Sequence, residues 1–530
     1  NAAGAKNWEF ASKPAAVEPA AAEAKKDGGS ALKAFAIGDI VLKESAVTFM
    51  KAGSPTVAAK DINLTLSGAD GSKALKLDGD AIYQNQKVSA KVAVDKMKAL
   101  MAGKASPVEV TLNVPAGKVS FSGNASNDKE LAVDGALDVA VDNLPELLAW
   151  ATAKPAGTGL PKKISLKTKL NAKGTQNIAL NDLAFSADAL STTGKLAVSL
   201  AEAVPSVRGA LQMDTLNLDA VSGGAKPASK EAVGAAPAGA PDQGWSDARI
   251  DASGLRAVNA NLDLTINTLL SGKVEVSNIA ANLALNGGVM KLNLNNASLY
   301  SGTAKGAIAV DGSGAGVRLG TNLTLADIQI EPLMIALSGA SRLEGKTNLR
   351  LIVNGQGASQ RAIVSTLAGN ASLAVADGAF KGINIASFLR DAKKGFLGTS
   401  SSEKTDFSEL SATFQIAQGI VTNNDLAMKS PVLRVAGKGT VSLPPKTVNY
   451  RLEPTLVASL KGQGGKDKEG LTVPLVIAGP WSNPSSTPDL AGMLQEGLKN
   501  PEALKENLKD IKGQLKDLNS PKDIGKALFI

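Results

Sequence analysis

Histidine and cysteine are both missing from this 530-residue chain. Imidazole is the commonest general acid/base near neutral pH and the commonest metal ligand. Its absence excludes Ser-His-Asp and Cys-His nucleophile systems, His-Glu-x-x-His sites and histidine-containing zinc sites. Without cysteine neither a disulfide framework nor a thiolate metal site can form. Aromatic residues make up only 3% of the chain, so the bulky side chains that fill a closed core are few. No run of eighteen apolar residues occurs, so no stretch of this sequence reads as a membrane-spanning helix. The net charge of +8 is modest for the length, and the lysines are scattered. A nucleic-acid partner would call for a basic stripe with recognition features, and none is expected here. No cofactor is expected either.

What the chain has in abundance is short-period alternation. Ile62, Leu64 and Leu66 alternate with Asp61, Asn63 and Thr65, and the same pattern returns at Val88 to Val94, Val108 to Val114 and Leu137 to Val141. Leu262, Leu264 and Ile266 form one such set, and Met290, Leu292 and Leu294 another. Period two with one apolar side means strands of a sheet buried on one face and wet on the other. About twenty-five such strands, none able to bury its face in a two-strand unit, predict a mainly β protein. The expected architecture is a long, twisted antiparallel repeat sheet folded into a groove or trough. Short helices interrupt it at Asn143 to Trp150, with Asn143 as cap, and at Glu331 to Leu337, Ser359 to Leu367 and Ile383 to Leu389. Pro501 to Leu518 carries Leu504, Leu508, Ile511, Leu515 and Leu518, the stripe of a C-terminal amphipathic helix.

Composition divides the chain further. Residues 1–30 are an Ala/Lys/Pro-rich linker, 31–220 a β-repeat groove region, and 221–245 an Ala/Gly/Pro-rich linker or loop. Residues 246–490 form a second β domain and 491–530 a helical tail.

Other motifs read as structure. Leu343-Glu-Gly-Lys-Thr347 has the look of a phosphate loop, but Ala340 stands where its first glycine should be. Leu349 to Val353 then continues as a strand where a helix is needed. Gly437-x-Gly439 and Gly462, Gly464 and Gly465 read as turn glycines, and Asp377, Asp406 and Asp425 as scattered turn acids. Ser430-Pro431 reads as a strand-opening turn; a serine nucleophile needs a base beside it, and a pairing with Lys429 has no supporting motif. An enzyme is therefore not expected.

One stretch is specific enough to carry a resemblance. Asp377-Gly378 is followed by Gly382-Ile383, Ile385 and Leu389, and Phe407-Ser408 by Leu410, Ala412 and Phe414. Asp425-Leu426 then precedes Ser430-Pro431 and Gly437-x-Gly439, and Val473-Pro474, Ile477, Gly479-Pro480 and Pro484 close the series. In that order they resemble the C-terminal domain of the AsmA family, envelope proteins of Gram-negative bacteria. The stretch 260–314, with its strand at Asp263-Leu264-Thr265 and Tyr300-x-Gly302, is similar to that family too. In the first half only Asp142 to Trp150 carries a match beyond style.

The resemblance implies a periplasmic protein, tethered to the inner membrane by an anchor upstream of Asn1. Its role would be to move or buffer phospholipid between inner and outer membranes along an apolar β-groove, without chemistry. A scaffold or assembly factor for outer-membrane or other envelope proteins, working through sheet edges, is the alternative. From the residues alone the apolar faces fit two arrangements: a closed sandwich core, or a groove open to acyl chains. Leu262, Leu264, Ile266, Met290, Leu292, Leu294, Leu433 and Val435 are the candidate tail contacts.

Overall fold

The computed structural model describes residues 39–489, apart from 50–56, 69–72, 153, 158–159, 222–243, 340, 382–403, 432, 457–473 and 483. The helices expected at Ile383 to Leu389 and Pro501 to Leu518, the linker at 1–30 and Gly462 to Gly465 lie outside the described residues. The chain divides into two compact units, at Ala203 and Val204. That division precedes the composition break at 221–245 by one strand.

The described residues of the first unit form a ten-stranded meander. Its strands are β1 (Ile40–Phe49), β2 (Val57–Ser67), β3 (Leu75–Tyr83), β4 (Gln86–Val94) and β5 (Ser106–Val114). They continue as β6 (Gly117–Asn127), β7 (Leu131–Val141), β8 (Ile164–Lys173), β9 (Asn177–Ala187) and β10 (Leu190–Ser199). Each pairs antiparallel with the next. Register places Leu66, Leu77, Val92, Val110, Phe121 and Leu137 opposite one another in a single cross-strand row. The row beside it on the other face is Thr65, Asp78, Lys91, Thr111, Ser120, Asp138 and Lys167. Charges alternate along it, with Lys91 3.0 Å from Asp78 and Lys167 3.6 Å from Asp138. Helix α1 (Met97–Met101) joins β4 to β5, and α2 (Leu144–Thr152) joins β7 to β8. Asn143 caps α2 as expected: its Oδ1 accepts from the Glu146 amide, and its Nδ2 donates back to Glu146 Oε2 at 3.0 Å. Trp150 then donates to the Tyr83 carbonyl and stands edge-on to the Tyr83 ring.

Among the described residues the second unit holds fourteen strands. These begin with β11 (Ser206–Asn217), β12 (Asn259–Ser271), β13 (Val274–Asn286), β14 (Val289–Leu299) and β15 (Gly302–Asp311). Next come β16 (Val317–Gln329), β17 (Leu343–Gly357), β18 (Ala368–Lys381), β19 (Lys404–Ala417) and β20 (Ile420–Lys429). The last are β21 (Leu433–Ser442), β22 (Thr447–Leu456), β23 (Leu475–Pro480) and β24 (Ser485–Pro488). Helix α3 (Leu218–Val221) follows β11, α4 (Ile330–Ser338) follows β16, and α5 (Gln360–Thr366), capped by Ser359, follows β17. One ladder departs from the expected antiparallel pattern: β11 and β12 run parallel, Leu211 opposite Leu264. Parallel neighbours need a long crossover, and the connection from 218 to 258 serves as one. The phosphate-loop look-alike lies wholly inside β17, as its continuing strand pattern required.

Strict alternation would rotate a long twisted strand out of phase with its neighbours. Asp61, Asp182, Asn278, Asp327 and Asp377 each adopt positive φ at a register shift in their strands. Each marks a β-bulge, where a short polar side chain tolerates the left-handed conformation. At Asp327 the extra residue lets Leu325 and Ile328, three apart, both reach the apolar face, opposite Leu349 and Thr347. Asp377 is therefore a bulge acid inside β18 rather than a turn acid. Asp406 and Asp425 likewise lie inside β19 and β20 rather than in turns, whereas Ser430-Pro431 does sit at a turn.

Gly437 and Gly439 also lie within a strand, β21, not in a turn. Asn423, Gly439 and Tyr450 share one row across β20, β21 and β22. A Cβ on Gly439 would stand 2.8 Å from Tyr450 Cδ2, so the glycine lets the tyrosine lie across it. The Tyr450 hydroxyl then donates to Asn423 Oδ1. Asn423 donates in turn to the Thr413 carbonyl at 2.8 Å and to Asp425 Oδ1 at 2.7 Å. Asp425 also accepts from the Thr413 amide and hydroxyl, which hold its carboxyl below the usual range. Burial, with help from the Asp425 charge, pushes the Tyr450 phenol up to about 12, so it remains a neutral donor. Asn423 is only 2% exposed, and losing its partner strands a buried amide oxygen. Tyr450→Phe should cost about 1–3 kcal/mol, read as a lower denaturation midpoint at unchanged m-value.

Candidate functional site

The candidate site is the apolar face, because alternation gathers rows of aliphatic side chains there. In the second unit Leu262, Leu283, Leu292 and Ile308 fall in one row across β12 to β15. Leu264, Ala281 and Leu294 fall in the next, and Met290 lies opposite Leu285 and Val310. β12 and β14 are thus both neighbours of β13, and six of the eight candidates share one patch. Leu262, Leu264, Met290, Leu292 and Leu294 are half-buried, and Ile266 is buried with Ile279, Ala281, Ala297 and Ala304. The reverse face of these strands is polar: Asn282 donates to Asp263 Oδ1 at 2.5 Å, and Asn295 donates to Asn282 Oδ1.

Leu433 and Val435 are placed differently. They pack with Val375, Phe407, Leu410, Met428 and Leu475 in a closed cluster, where Leu433 is 0% exposed. Sequence pattern grouped them with the groove because strand alternation looks alike whether or not a face is roofed. They are core residues here.

The first unit has the opposite character. Among its described residues the buried hydrophobic side chains are Val94, Ala125, Val141 and Leu183, all near strand ends or bulges. Leu112, in the middle of the sheet between Ala90 and Val119, is 38% exposed. A sandwich would have buried it. Among the described residues of this unit no second layer of strands covers its apolar face.

The ionisable groups cluster away from these rows. Lys381 Nζ lies 2.5 Å from Glu331 Oε1 and 3.0 Å from Glu344 Oε2, and Lys404 lies between Glu344 and Asp406. The hydrogen bond from Lys381 holds the Glu331 carboxyl below its usual range, and its partners raise the Lys381 ammonium. The network fastens α4 to β17, β18 and β19. Among the described residues no group of three or more acids could hold a metal ion, and no helix is long and apolar enough to cross a membrane.

The parts that sequence reasoning missed are polar. They are the Tyr450, Asn423 and Asp425 lock and the bulge acids, whose only advance sign is an Asp or Asn where apolar spacing changes from two to three.

Together these features define a mainly β protein whose described strands form one sheet with an apolar face in each unit, incompletely covered among the described residues. The chain belongs to the AsmA family, whose profile matches residues 70–426. The match takes in most of the first unit, well beyond the helix at 142–150, and stops short of the segments at 430–484. The chain is 22% identical over 443 residues to protein AsmA of Escherichia coli (strain K12), an alignment covering 78% of this chain and 70% of that protein. No solved structure matches. Membership of this Gram-negative envelope family points to an envelope-associated role.

The two kinds of apolar site differ in a way melting can read. Leu292→Glu places its carboxylate on a half-buried surface and should lower stability modestly. Leu433→Glu buries an unpaired charge, which should cost several kcal/mol and unfold the second unit. Equal losses of melting temperature would mean that the Leu292 patch is closed core.

Proposed function

We propose that this protein carries phospholipid acyl chains along the apolar faces of its sheets, without making or breaking bonds. It works in the periplasm, tethered to the inner membrane, and moves or buffers phospholipid between inner and outer membranes. The observation that carries the reading is the apolar face of the first unit, uncovered by a second layer among the described residues, on which Leu112 is more than one-third exposed at mid-sheet. An aliphatic surface of that extent is costly in water unless something apolar covers it. A lipid tail would do so, each buried methylene gaining about 0.8 kcal/mol.

The chemistry of the rows suits sliding. Leu, Val, Ile and Ala repeat along them, with Gly79 and Gly123 as the small members. Neighbouring positions are therefore near-equivalent for a methylene chain, and none forms a deep trap. Headgroups would remain at the margins, in water. The absence of histidine and cysteine from the whole sequence supports a role without catalysis.

Native mass spectrometry of protein purified without added lipid tests the proposal. Wild-type protein should carry phospholipid, and Leu264→Glu with Leu292→Glu should remain folded while losing at least half of it. Folded wild-type protein that never carries lipid would remove the transport reading and favour the scaffold.

A further inference from the structure

Residues 244–258, ahead of β12, run as a strap across one end of the second unit. The Ile250 amide donates to the Ala358 carbonyl, and Arg361 is bonded to Asp247 and to the Trp245 carbonyl. Trp245 itself donates to the Leu443 carbonyl, with Lys446 Nζ 5.0 Å above its ring. Further along, the strap lies against the turn between β15 and β16. A Cβ on Gly312 would meet Ala252 at 2.7 Å and Leu255 at 3.1 Å.

Between strap and turn is a cavity of about 330 Å³ lined by Arg249, Asp251, Arg256, Gly314 and Val317, among others. Arg249 Nη2 donates to the Ala315 carbonyl and Arg256 Nη1 to the Gly312 carbonyl. Each bond ties one nitrogen of a guanidinium whose residue lines the cavity. Asp251 lies within the field of both arginines. Its carboxyl is held below the usual range, first by hydrogen bonds from Ser253 and then by those two charges. The wall thus presents two fixed cations with a carboxylate among them.

The cavity adjoins the apolar face. Val317 lines it, and Leu319, two residues on, leaves β16 on the same side. Leu319 lies opposite Val310, and Val310 opposite Met290. Leu319 is 37% exposed, so an apolar shelf leads directly from the charged cavity.

We propose that this cavity is a headgroup site for a zwitterionic aminophospholipid. The phosphodiester lies between Arg249 and Arg256, the ammonium beside Asp251, and the acyl chains along Leu319, Val310 and Met290. A guanidinium pair alone would take any anionic lipid; the carboxylate among them favours a headgroup that also carries a cation. The inference rests on the lipid-carrying function proposed above and adds selectivity to it.

The test incubates the full chain with vesicles of equal phosphatidylethanolamine and phosphatidylglycerol, matched in their tails, and measures the lipid retained on re-isolated protein. Wild-type protein should retain more of the ethanolamine lipid. Asp251→Asn keeps the acceptor for Ser253, and should lower the ethanolamine-to-glycerol ratio about threefold, the scale of one solvent-facing ion pair. Arg249→Gln with Arg256→Gln should reduce retention of both lipids about tenfold, as two such contacts would. Melting temperatures near wild type are the control for folding. An unchanged ratio in Asp251→Asn, or unchanged retention in the arginine variant, overturns the headgroup site while leaving tail carriage intact. Wild-type protein that retains neither lipid overturns tail carriage itself, and the headgroup site falls with it. Soluble glycerophosphoethanolamine retained as tightly as the lipid would overturn the assignment to a membrane lipid.

Discussion

Cross-strand register is the constraint on which the rest of this structure depends. A strand alternates its side chains with period two, so a slip of one residue would exchange its apolar and polar faces. The rows respect that: Leu66 to Leu137 in the first unit and Leu262 to Ile308 in the second run across successive strands without changing character. Tight hairpins contribute, such as Gln84-Asn85 and Tyr300-Ser301, where both central residues have positive φ and the turn length is fixed. The charge pairs on the polar rows contribute little energy individually but would be mismatched by any slip.

Register alone would not keep a twisted sheet of this extent in phase. The bulges do that, five of them at an Asp or Asn, and they explain why apolar residues three apart, such as Leu325 and Ile328, share a face. The second unit spends part of its face on a closed cluster around Leu433 and Leu475, stiffened beside it by the Tyr450 and Asn423 lock. The strands from β12 to β16 keep a half-buried apolar surface, and so do those of the first unit, where Leu112 is exposed at mid-sheet. Stability and an exposed apolar surface are thereby assigned to different strands.

Much of this was legible in the residues. Alternation at Ile62 to Leu66 or Leu262 to Ile266 identifies strands, and Asn143-Leu-Pro-Glu announces a capped helix that the structure contains. What period two cannot express is whether a face is roofed. Leu433 and Leu292 sit in equally clean alternating strands, yet one is sealed and the other half-exposed, because roofing depends on contacts between segments far apart in sequence. The bulge at Asp377-Gly378 was hidden for a related reason: an Asp-Gly pair has the same local preference in a bulge as in a turn, and only the neighbouring strand decides between them. The parallel pairing of β11 with β12 likewise follows from a long connection, whose composition says nothing of where it returns. The charged cavity under the strap unites Arg249, Asp251 and Arg256 with a turn some sixty residues later, a juxtaposition no local pattern announces.

Transport as proposed puts acyl chains on one face of the sheet and not on the other. Photo-crosslinking tests it most directly, with a benzophenone side chain placed in turn at Leu112, on the apolar row, and at Asp138, on the polar row of the same unit. In cells labelled through their phospholipid, the account predicts lipid adducts at Leu112 and none above background at Asp138. Adducts at both positions alike, or at neither while both variants are folded, would contradict it.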